Sequence, residues 1–303
     1  MNLAPIILFV YNRPWHTEQT LNALMENDLA SESVLYLYCD GPEKEASEKV
    51  RKSVEEVRKT IRQKRWCKEV IIVEQEGNLG LAASIIQGVT EVIERHGKII
   101  VLEDDIKVNR EFLRYMNEAL KFFEAKPEVF HISGFSHGSD LQFMLNDFFF
   151  LKFMSCWGWG TWRDRWTKFN YNYNYFYQRL ISNPKILADF NYGNSIYFHH
   201  QLKQNIEGSI KTWAILWYCT IYFNNGLCLT PKYSFVENIG MDGSGVHCGN
   251  NSSFTKKFPT VNSRNFDFKN IKMKEKALSR LHLTKFYKNG LKFRFINLIK
   301  RDF

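Results

Sequence analysis

Apolar runs and helix-like stretches alternate over the first 125 residues. Runs typical of buried strands cover 6–10, 34–38, 70–73 and 98–102. Stretches with helical character lie between them, at 17–25, 43–65 and 81–95, and the apolar residues of the second recur at spacings of three and four. Asn109 is a candidate N-cap for a further helix that ends near residue 126, before Pro127. Alternation of this kind predicts an α/β fold whose parallel sheet is covered by helices on both faces.

The alternation stops after residue 128. Two aromatic strand-like runs, 129–135 and 148–153, flank a loop, and a Trp- and Gly-rich segment follows. No Pro/Ser-rich linker separates 157–247 from the first half, so we interpret it as a continuation that completes a cleft. The predicted organisation is one domain over 1–255, with halves 1–127 and 128–255, followed by a basic amphipathic extension over 256–303.

Positive charge is concentrated in that extension. The net charge of the 303 residues is +9, but 256–303 alone contains 14 Lys and Arg against three acidic residues, a net +11, which leaves −2 for the rest. Apolar residues interspersed among the basic ones suit an anionic membrane surface. A solvated helical extension or an RNA contact would have the same composition.

The sequence has none of the usual membrane-spanning or secretion signals. No apolar run approaches the roughly 20 residues of a spanning helix, and the first residues lack a signal-peptide pattern. The six cysteines contain no C-x-x-C pair, which favours buried or incidental thiols in a reducing compartment over disulfides or a zinc site. The expected localisation is cytoplasmic, with peripheral attachment at the inner membrane face if the extension binds lipid.

Three predicted strands end in polar groups: Asn12-Arg13, Asp40-Gly41 and Glu103-Asp104-Asp105. Ligands of open α/β sheets bind at the carboxyl ends of the strands, so these groups should converge on one crevice. Adjacent carboxylates repel one another, and a Mg²⁺ or Mn²⁺ ion bridging to a diphosphate would relieve that repulsion. A solvated strand-to-helix turn is the alternative. Neither G-x-G-x-x-G nor a P-loop motif occurs.

The order of several short motifs resembles the GT-A fold glycosyltransferases, over roughly residues 5–250. The similarity is to family-2-like bacterial sugar transferases and to the N-acetylglucosaminyltransferase I type, whose metal motif is also Glu-Asp-Asp. The motifs are Phe9-Val10-Tyr11-Asn12-Arg13-Pro14, Cys39-Asp40-Gly41, Gly77-Asn78-Leu79-Gly80-Leu81, Val101-Leu102-Glu103-Asp104-Asp105, the segment 156–162 and the segment 238–247. The resemblance implies a Rossmann-like α/β fold with a mixed, mainly parallel sheet, and a nucleotide-sugar donor, with UDP favoured.

The resemblance also implies roles for individual residues. Asp40 would recognise uracil, and Arg13, next to Asn12, would lie near the base or diphosphate. The remaining donor residues would be Asn78 and Gly80 at the nucleoside, Glu103 and Asp104 at the ribose and donor sugar, and Asp105 as the direct metal ligand. Without the resemblance, 78–80 is equally well an ordinary turn before a helix.

Gly-rich residues 242–247 predict a loop that closes over bound donor. Within it, His247 would add a ligand to the metal or contact the diphosphate, although a lone His is more often a surface or packing residue. Trp157, Trp159 and Trp162 are interpreted as core, with an acceptor platform as the alternative.

The catalytic base is left open by the sequence. Related transferases place an Asp after a Trp in the segment matching 211–217, where this chain has Ala214. Asp164, Glu207 and Asp242 remain as candidates for the carboxylate that an inverting transfer needs.

The predicted function is metal-dependent transfer of a sugar to a glycan or lipid-linked saccharide, in surface polysaccharide biosynthesis. The alternatives are a phosphohydrolase or nucleotidyltransferase built on the same acidic triplet, and a nucleic-acid-binding protein. Confinement of positive charge to 256–303 disfavours nucleic acid as a partner, because the predicted cleft is acidic.

Overall fold

The computed structural model describes residues 2–137, 146–242 and 266–287. Its strands are β1 (Ile6–Val10), β2 (Val34–Cys39), β3 (Glu69–Glu74), β4 (Lys98–Glu103), β5 (Ile106–Val108), β6 (Val129–Ser133), β7 (Phe148–Leu151), β8 (Trp159–Trp162), β9 (Leu227–Pro231) and β10 (Val236–Asn238). Its helices are α1 (Pro14–Met25), α2 (Glu48–Thr60), α3 (Leu81–His96), α4 (Phe112–Phe122), α5 (Arg163–Trp166), α6 (Tyr173–Ile181), α7 (Pro184–Phe190), α8 (His199–Ile206) and α9 (Ala214–Phe223).

Eight strands form one sheet in the order β3-β2-β1-β4-β8-β6-β9-β7. The first four run parallel, which confirms the alternation predicted for the first half. β8 is antiparallel to both of its neighbours, and β7 is antiparallel to β9 at the edge. The sheet is therefore mixed and mainly parallel, and the α/β fold class is confirmed.

Local capping explains where the observed helices depart from the predicted ones. α1 begins three residues earlier than predicted, because Pro14 occupies its first turn, where a missing N–H costs nothing. α2 begins only at Glu48, since the Ser47 side chain accepts a hydrogen bond from the backbone of Val50. Asn109 is not the N-cap of α4: its side chain accepts from the Glu111 backbone in a turn, and the helix starts at Phe112.

The Trp- and Gly-rich segment lies mostly in the core. Trp159 and Trp162 are almost completely buried in β8, and the ring of Trp159 stacks on that of Trp213 at 5.2 Å between centroids. The core interpretation is thus confirmed for these two residues. Trp157, just before the strand, is only half-buried.

Residues 266–287 pack against the body of the protein. The carboxylate of Glu275 accepts hydrogen bonds from the Lys152 backbone (3.0 Å) and the Tyr192 hydroxyl (2.7 Å), and it pairs with Arg280. Residues 277–287 are helical, with Leu283 fully buried and Leu278 and Leu281 about half-exposed. The apolar side chains of this segment therefore divide between the protein core and solvent.

Two further predictions concern membranes and cysteines. Over the described ranges, no helix has the length and apolar character needed to span a bilayer. The thiols described there are free, and four of the five are buried; burial raises the pKa of Cys39 to about 11 and that of Cys67 to about 12. Cys248 lies outside the described residues.

Candidate functional site

The carboxyl ends of β1, β2 and β4 open into a cleft of about 320 Å³, which we call the strand-end cleft. Within the described ranges, it brings together the eight residues that the sequence assigned to the donor and its metal. These are Asn12, Arg13, Asp40, Asn78, Gly80, Glu103, Asp104 and Asp105. The expected convergence of three strand ends is confirmed. The cleft has one end built from Asp40 and the 78–80 turn, and another built from Arg13 and the acidic triplet.

At the first end, the buried carboxylate of Asp40 holds the following loops in place. One oxygen accepts from the backbone of Gly41 and Leu79, both at 2.9 Å. The other accepts from the backbone of Gly80 at 3.0 Å and from the Ser84 hydroxyl at 3.4 Å. A carboxylate offers about four acceptor sites, so these contacts use its capacity. In this structure Asp40 acts as a loop clamp, and its expected role at uracil stays a prediction.

The 78–80 turn has features that only particular residues supply. Gly80 has φ +79°, in the left-handed region that favours glycine, and it precedes the first residue of α3. The side-chain amide of Asn78 donates to the Gly41 carbonyl at 3.0 Å, which ties this turn to the loop after β2. Together these contacts leave a narrow, rigid rim beside the cleft.

At the second end, one guanidinium bridges two carboxylates. Arg13 Nη2 donates to both Asp104 and Asp105, the latter at 2.9 Å, and Nε donates to Asp104 at 3.3 Å. Its other terminal nitrogen, Nη1, is buried and has no hydrogen-bond partner among the described residues. Asp104 and Asp105 therefore face a common position for a cation.

Burial and mutual repulsion shape the charges here. Desolvation, together with the carboxylates of Asp105 and Asp104, raises the pKa of Glu103 to about 8. Desolvation likewise raises the pKa of Asp104 to about 6, against the opposing effect of Arg13. Although burial lowers it, the two aspartates raise the pKa of Arg13 well above its usual value. The site holds more negative charge than one arginine neutralises, which favours a second cation.

The chain returns to this end of the cleft just after β10. The Ile239 backbone donates to the Asp105 carbonyl at 2.9 Å. A Cβ on Gly240 would overlap Asp105 Oδ2 and come within 2.9 Å of Arg13 Nη1. Asp242 then contacts His16 Nε2 at 3.1 Å. Only glycine allows the backbone at residue 240 to lie directly against the acidic pair.

The residues present fit a Mg²⁺ or Mn²⁺ ion that is shared with a substrate diphosphate. Over the described ranges, no three His, Cys, Asp or Glu side chains converge to hold an ion by themselves. Mg²⁺, however, is usually bound through one or two carboxylates together with substrate phosphates. The guanidinium between Asp104 and Asp105 marks the position where a cation is held by this pair.

The three candidate bases are not brought to one place. Asp164 pairs with Arg165, and Glu207 pairs with Lys203. Both carboxylates are mostly exposed, and neither lines this cleft. Asp242 pairs with His16 and comes two residues after Gly240, which lies against Asp105 of the cleft. His247 lies outside the described residues.

Sequence reasoning missed Lys211, which lines the strand-end cleft from the loop before α9. A single exposed lysine carries no motif or periodicity. In the sequence it is marked only by its position three residues before Ala214, in the segment where related transferases have an Asp.

Comparisons with known proteins give no family assignment. No protein-family model matches the chain, and no curated protein matches it. Solved structures that resemble it include S. aureus TarS (16% identity, 43% of this chain and 21% of that chain, TM-score 0.29). Another is the apo form of mouse xyloside xylosyltransferase 1 (12% identity, 72% of this chain and 80% of that chain, TM-score 0.38). A third is an active-site mutant of LgtC (8% identity, 55% of this chain and 60% of that chain, TM-score 0.36).

This chain spans about a fifth of the length of TarS. At these identities and TM-scores the likenesses establish neither the detailed fold family nor the function.

Proposed function

We propose that the protein is a metal-dependent glycosyltransferase whose strand-end cleft binds a nucleoside diphosphate sugar, with UDP the favoured nucleotide. The observation that carries this proposal is the convergence on one cleft of the eight described residues assigned to the donor and its metal. The resemblance of those motifs to sugar transferases supports it independently of the geometry.

The chemistry of the two ends sets the direction of the donor. The 78–80 turn, held in place by Asp40 and by the bond from Asn78 to Gly41, forms an uncharged wall that suits a nucleoside. The opposite end supplies Arg13 and the acidic pair, and Lys211 adds a positive charge to the same cleft; these groups suit a diphosphate accompanied by a cation. The nucleoside therefore lies toward Asn78, and the diphosphate lies toward Asp105.

Departure of the nucleoside diphosphate is the step that this end of the cleft promotes. Arg13 and Lys211 place positive charge where the leaving group gains negative charge. Asp105, with Asp104, would hold a Mg²⁺ or Mn²⁺ ion, which when bound neutralises part of that charge. Glu103 lies beside them, in position for hydroxyl groups of the ribose or the donor sugar.

On the acceptor side, the proposal is a glycan or lipid-linked saccharide hydroxyl that attacks the anomeric carbon with inversion, in surface polysaccharide synthesis. Asp242 is the base candidate that remains beside the cleft. The basic extension 256–303, in which Lys272, Lys276 and Lys285 are exposed, is proposed to contact an anionic membrane, which would bring the enzyme to a lipid-linked acceptor.

The test is calorimetric titration of the protein with UDP, GDP and CDP, each with and without Mn²⁺. We expect UDP to bind in a metal-dependent way, and Asp105→Asn to abolish the metal dependence. Asp164→Asn is the matched control, because that carboxylate lies outside the cleft. Binding of no nucleotide under any metal condition would contradict the proposal.

A further inference from the structure

A second cavity of about 320 Å³ lies beside the strand-end cleft, and we call it the aromatic cavity. Its walls are mainly aromatic and come from six separated parts of the chain. The residues that line it include Phe135, His137, Trp157, Ala214, Met241 and Tyr287. Its volume is within the range of small-molecule pockets, about 300–1,000 Å³.

Two chain segments border both this cavity and the strand-end cleft. Gly240 lies against Asp105, and the next residue, Met241, lines the aromatic cavity. Lys211 lines the cleft, and Ala214, three residues later, lines the cavity. Consecutive Cα atoms are about 3.8 Å apart, so the cavity adjoins the diphosphate end of the cleft.

One buried polar group in the cavity lacks a partner. His137 is 6% exposed and is packed among the rings of Phe135, Phe153 and Tyr287. Its Nδ1 has no hydrogen-bond partner among the described residues. Burial lowers the pKa of His137 to about 3, so the imidazole is neutral. Buried polar atoms are nearly always hydrogen-bonded, so this nitrogen offers an unused hydrogen-bonding position at the cavity wall.

The C-terminal segment forms one wall of the cavity. Phe286 and Tyr287 line it, and the buried Leu283 fixes the helical residues 277–287 against the core. Tyr192 connects this segment to another wall: its hydroxyl donates to Glu275 and accepts from the backbone of Phe153. The basic extension thus contributes directly to an internal site.

We propose that the aromatic cavity binds a pyranose ring of the acceptor, with a ring hydroxyl hydrogen-bonded to His137 Nδ1 and a C–H face packed on Trp157. This inference rests on the proposed function, since it places the acceptor. The C–H groups of a sugar face carry slight positive charge and complement the negative face of an aromatic ring.

The position satisfies the geometric demand of transfer. The reacting atoms must approach to about 3–3.5 Å. Residues 240 and 241 border the two regions, so a donor sugar attached to a diphosphate at Asp105 would lie next to a ring in the aromatic cavity. A lipid chain would leave His137 without a partner, so a saccharide is the occupant that fits.

The test is saturation-transfer NMR with methyl and hexyl glycosides of glucose, galactose and N-acetylglucosamine, added to the UDP-bound protein. Ring-proton signals are expected from at least one glycoside. Ala214→Phe fills the cavity and should remove them. His137→Phe keeps the ring shape but loses Nδ1, and should weaken affinity about fivefold, as for one hydrogen bond. Tyr171→Ala, at an exposed ring lining neither cavity, is the control and should bind as the unaltered protein does.

Three results would overturn the inference: no ring-proton signal from any glycoside, signals that persist in both cavity variants, or signals confined to the hexyl chain. UDP binding is measured on each variant by calorimetry. If the unaltered protein does not bind UDP, the proposed function itself is contradicted. The two failures are therefore distinguishable.

Discussion

The strand-end cleft and the aromatic cavity have the same volume, about 320 Å³, but opposite chemistry. The cleft is lined by charged groups that follow three neighbouring strands, with Arg13 held between two carboxylates. The cavity is lined by rings drawn from distant segments, with one neutral imidazole among them. Under the proposed function, the charged leaving group would occupy the first environment and the uncharged acceptor sugar the second.

Removal of Arg13 from the strand-end cleft is expected to have the largest effect on stability. Arg13→Met leaves the carboxylates of Asp104 and Asp105 without their counter-ion and should cost about 3 kcal/mol of unfolding free energy. Mn²⁺ alone should then raise the melting temperature more than in the unaltered protein, because the ion replaces the lost charge. Arg62→Met, at an exposed pair with Glu74, is the control and should change stability by less than about 1 kcal/mol. Equal stability of the two variants would contradict the account.

The next largest effect is expected from a side chain placed at residue 240. Gly240→Val drives a side chain into Asp105 and Arg13, which should cost about 2 kcal/mol, as overpacking does, and should prevent UDP binding. Gly77→Val is the matched control, since a Cβ there meets nothing within 4 Å. Urea unfolding and UDP titration measure both effects. If Gly240→Val still bound UDP normally, residue 240 would not lie against the cation position.

Loosening the C-terminal segment should separate the two regions. Glu275→Gln weakens the pair with Arg280 and should cost about 1.5 kcal/mol, as for a hydrogen bond to a charged group. Glycoside binding should fall further than UDP binding, because Phe286 and Tyr287 wall only the aromatic cavity. Parallel titrations with UDP and a glycoside check this. An equal loss of both would show that the segment supports the whole domain.

The smallest effect is expected at the acids that the structure places away from both regions. Glu207→Gln removes an exposed helical pair with Lys203 and should change stability by less than about 0.5 kcal/mol. Neither it nor Asp164→Asn should alter donor turnover in a nucleotide-release assay. A large loss of turnover in either variant would return that residue to the candidate bases.

Sequence and structure agree best where the chemistry is local. β1 is a continuous apolar run, and the polar residues that follow it in the sequence necessarily follow it in space. The same reasoning placed Asp40 and Asp105 at one edge of the sheet. It did not predict the clamp at Asp40, because the clamp depends on backbone groups of Leu79 and Gly80, about forty residues away.

The aromatic cavity could not have been predicted in the same way. Its walls at Trp157, Ala214 and Tyr287 are brought together only by tertiary packing, and aromatic residues in sequence look alike whether they form core or a binding surface. The antiparallel insertion of β8 between β4 and β6 was equally hidden, since Trp159–Trp162 shows no alternation. Lys211 was not predicted either, because it reaches the cleft from a loop that has no hydrophobic periodicity.

The central claim is metal-dependent cleavage of a nucleotide sugar at the bond between sugar and diphosphate. Its most direct test is incubation with UDP-sugars and Mn²⁺, followed by anion-exchange separation of the products. The account predicts UDP and free sugar, released slowly without acceptor and not released by Asp105→Asn. Release of UMP and sugar phosphate would contradict it and would assign the acidic triplet to a phosphohydrolase.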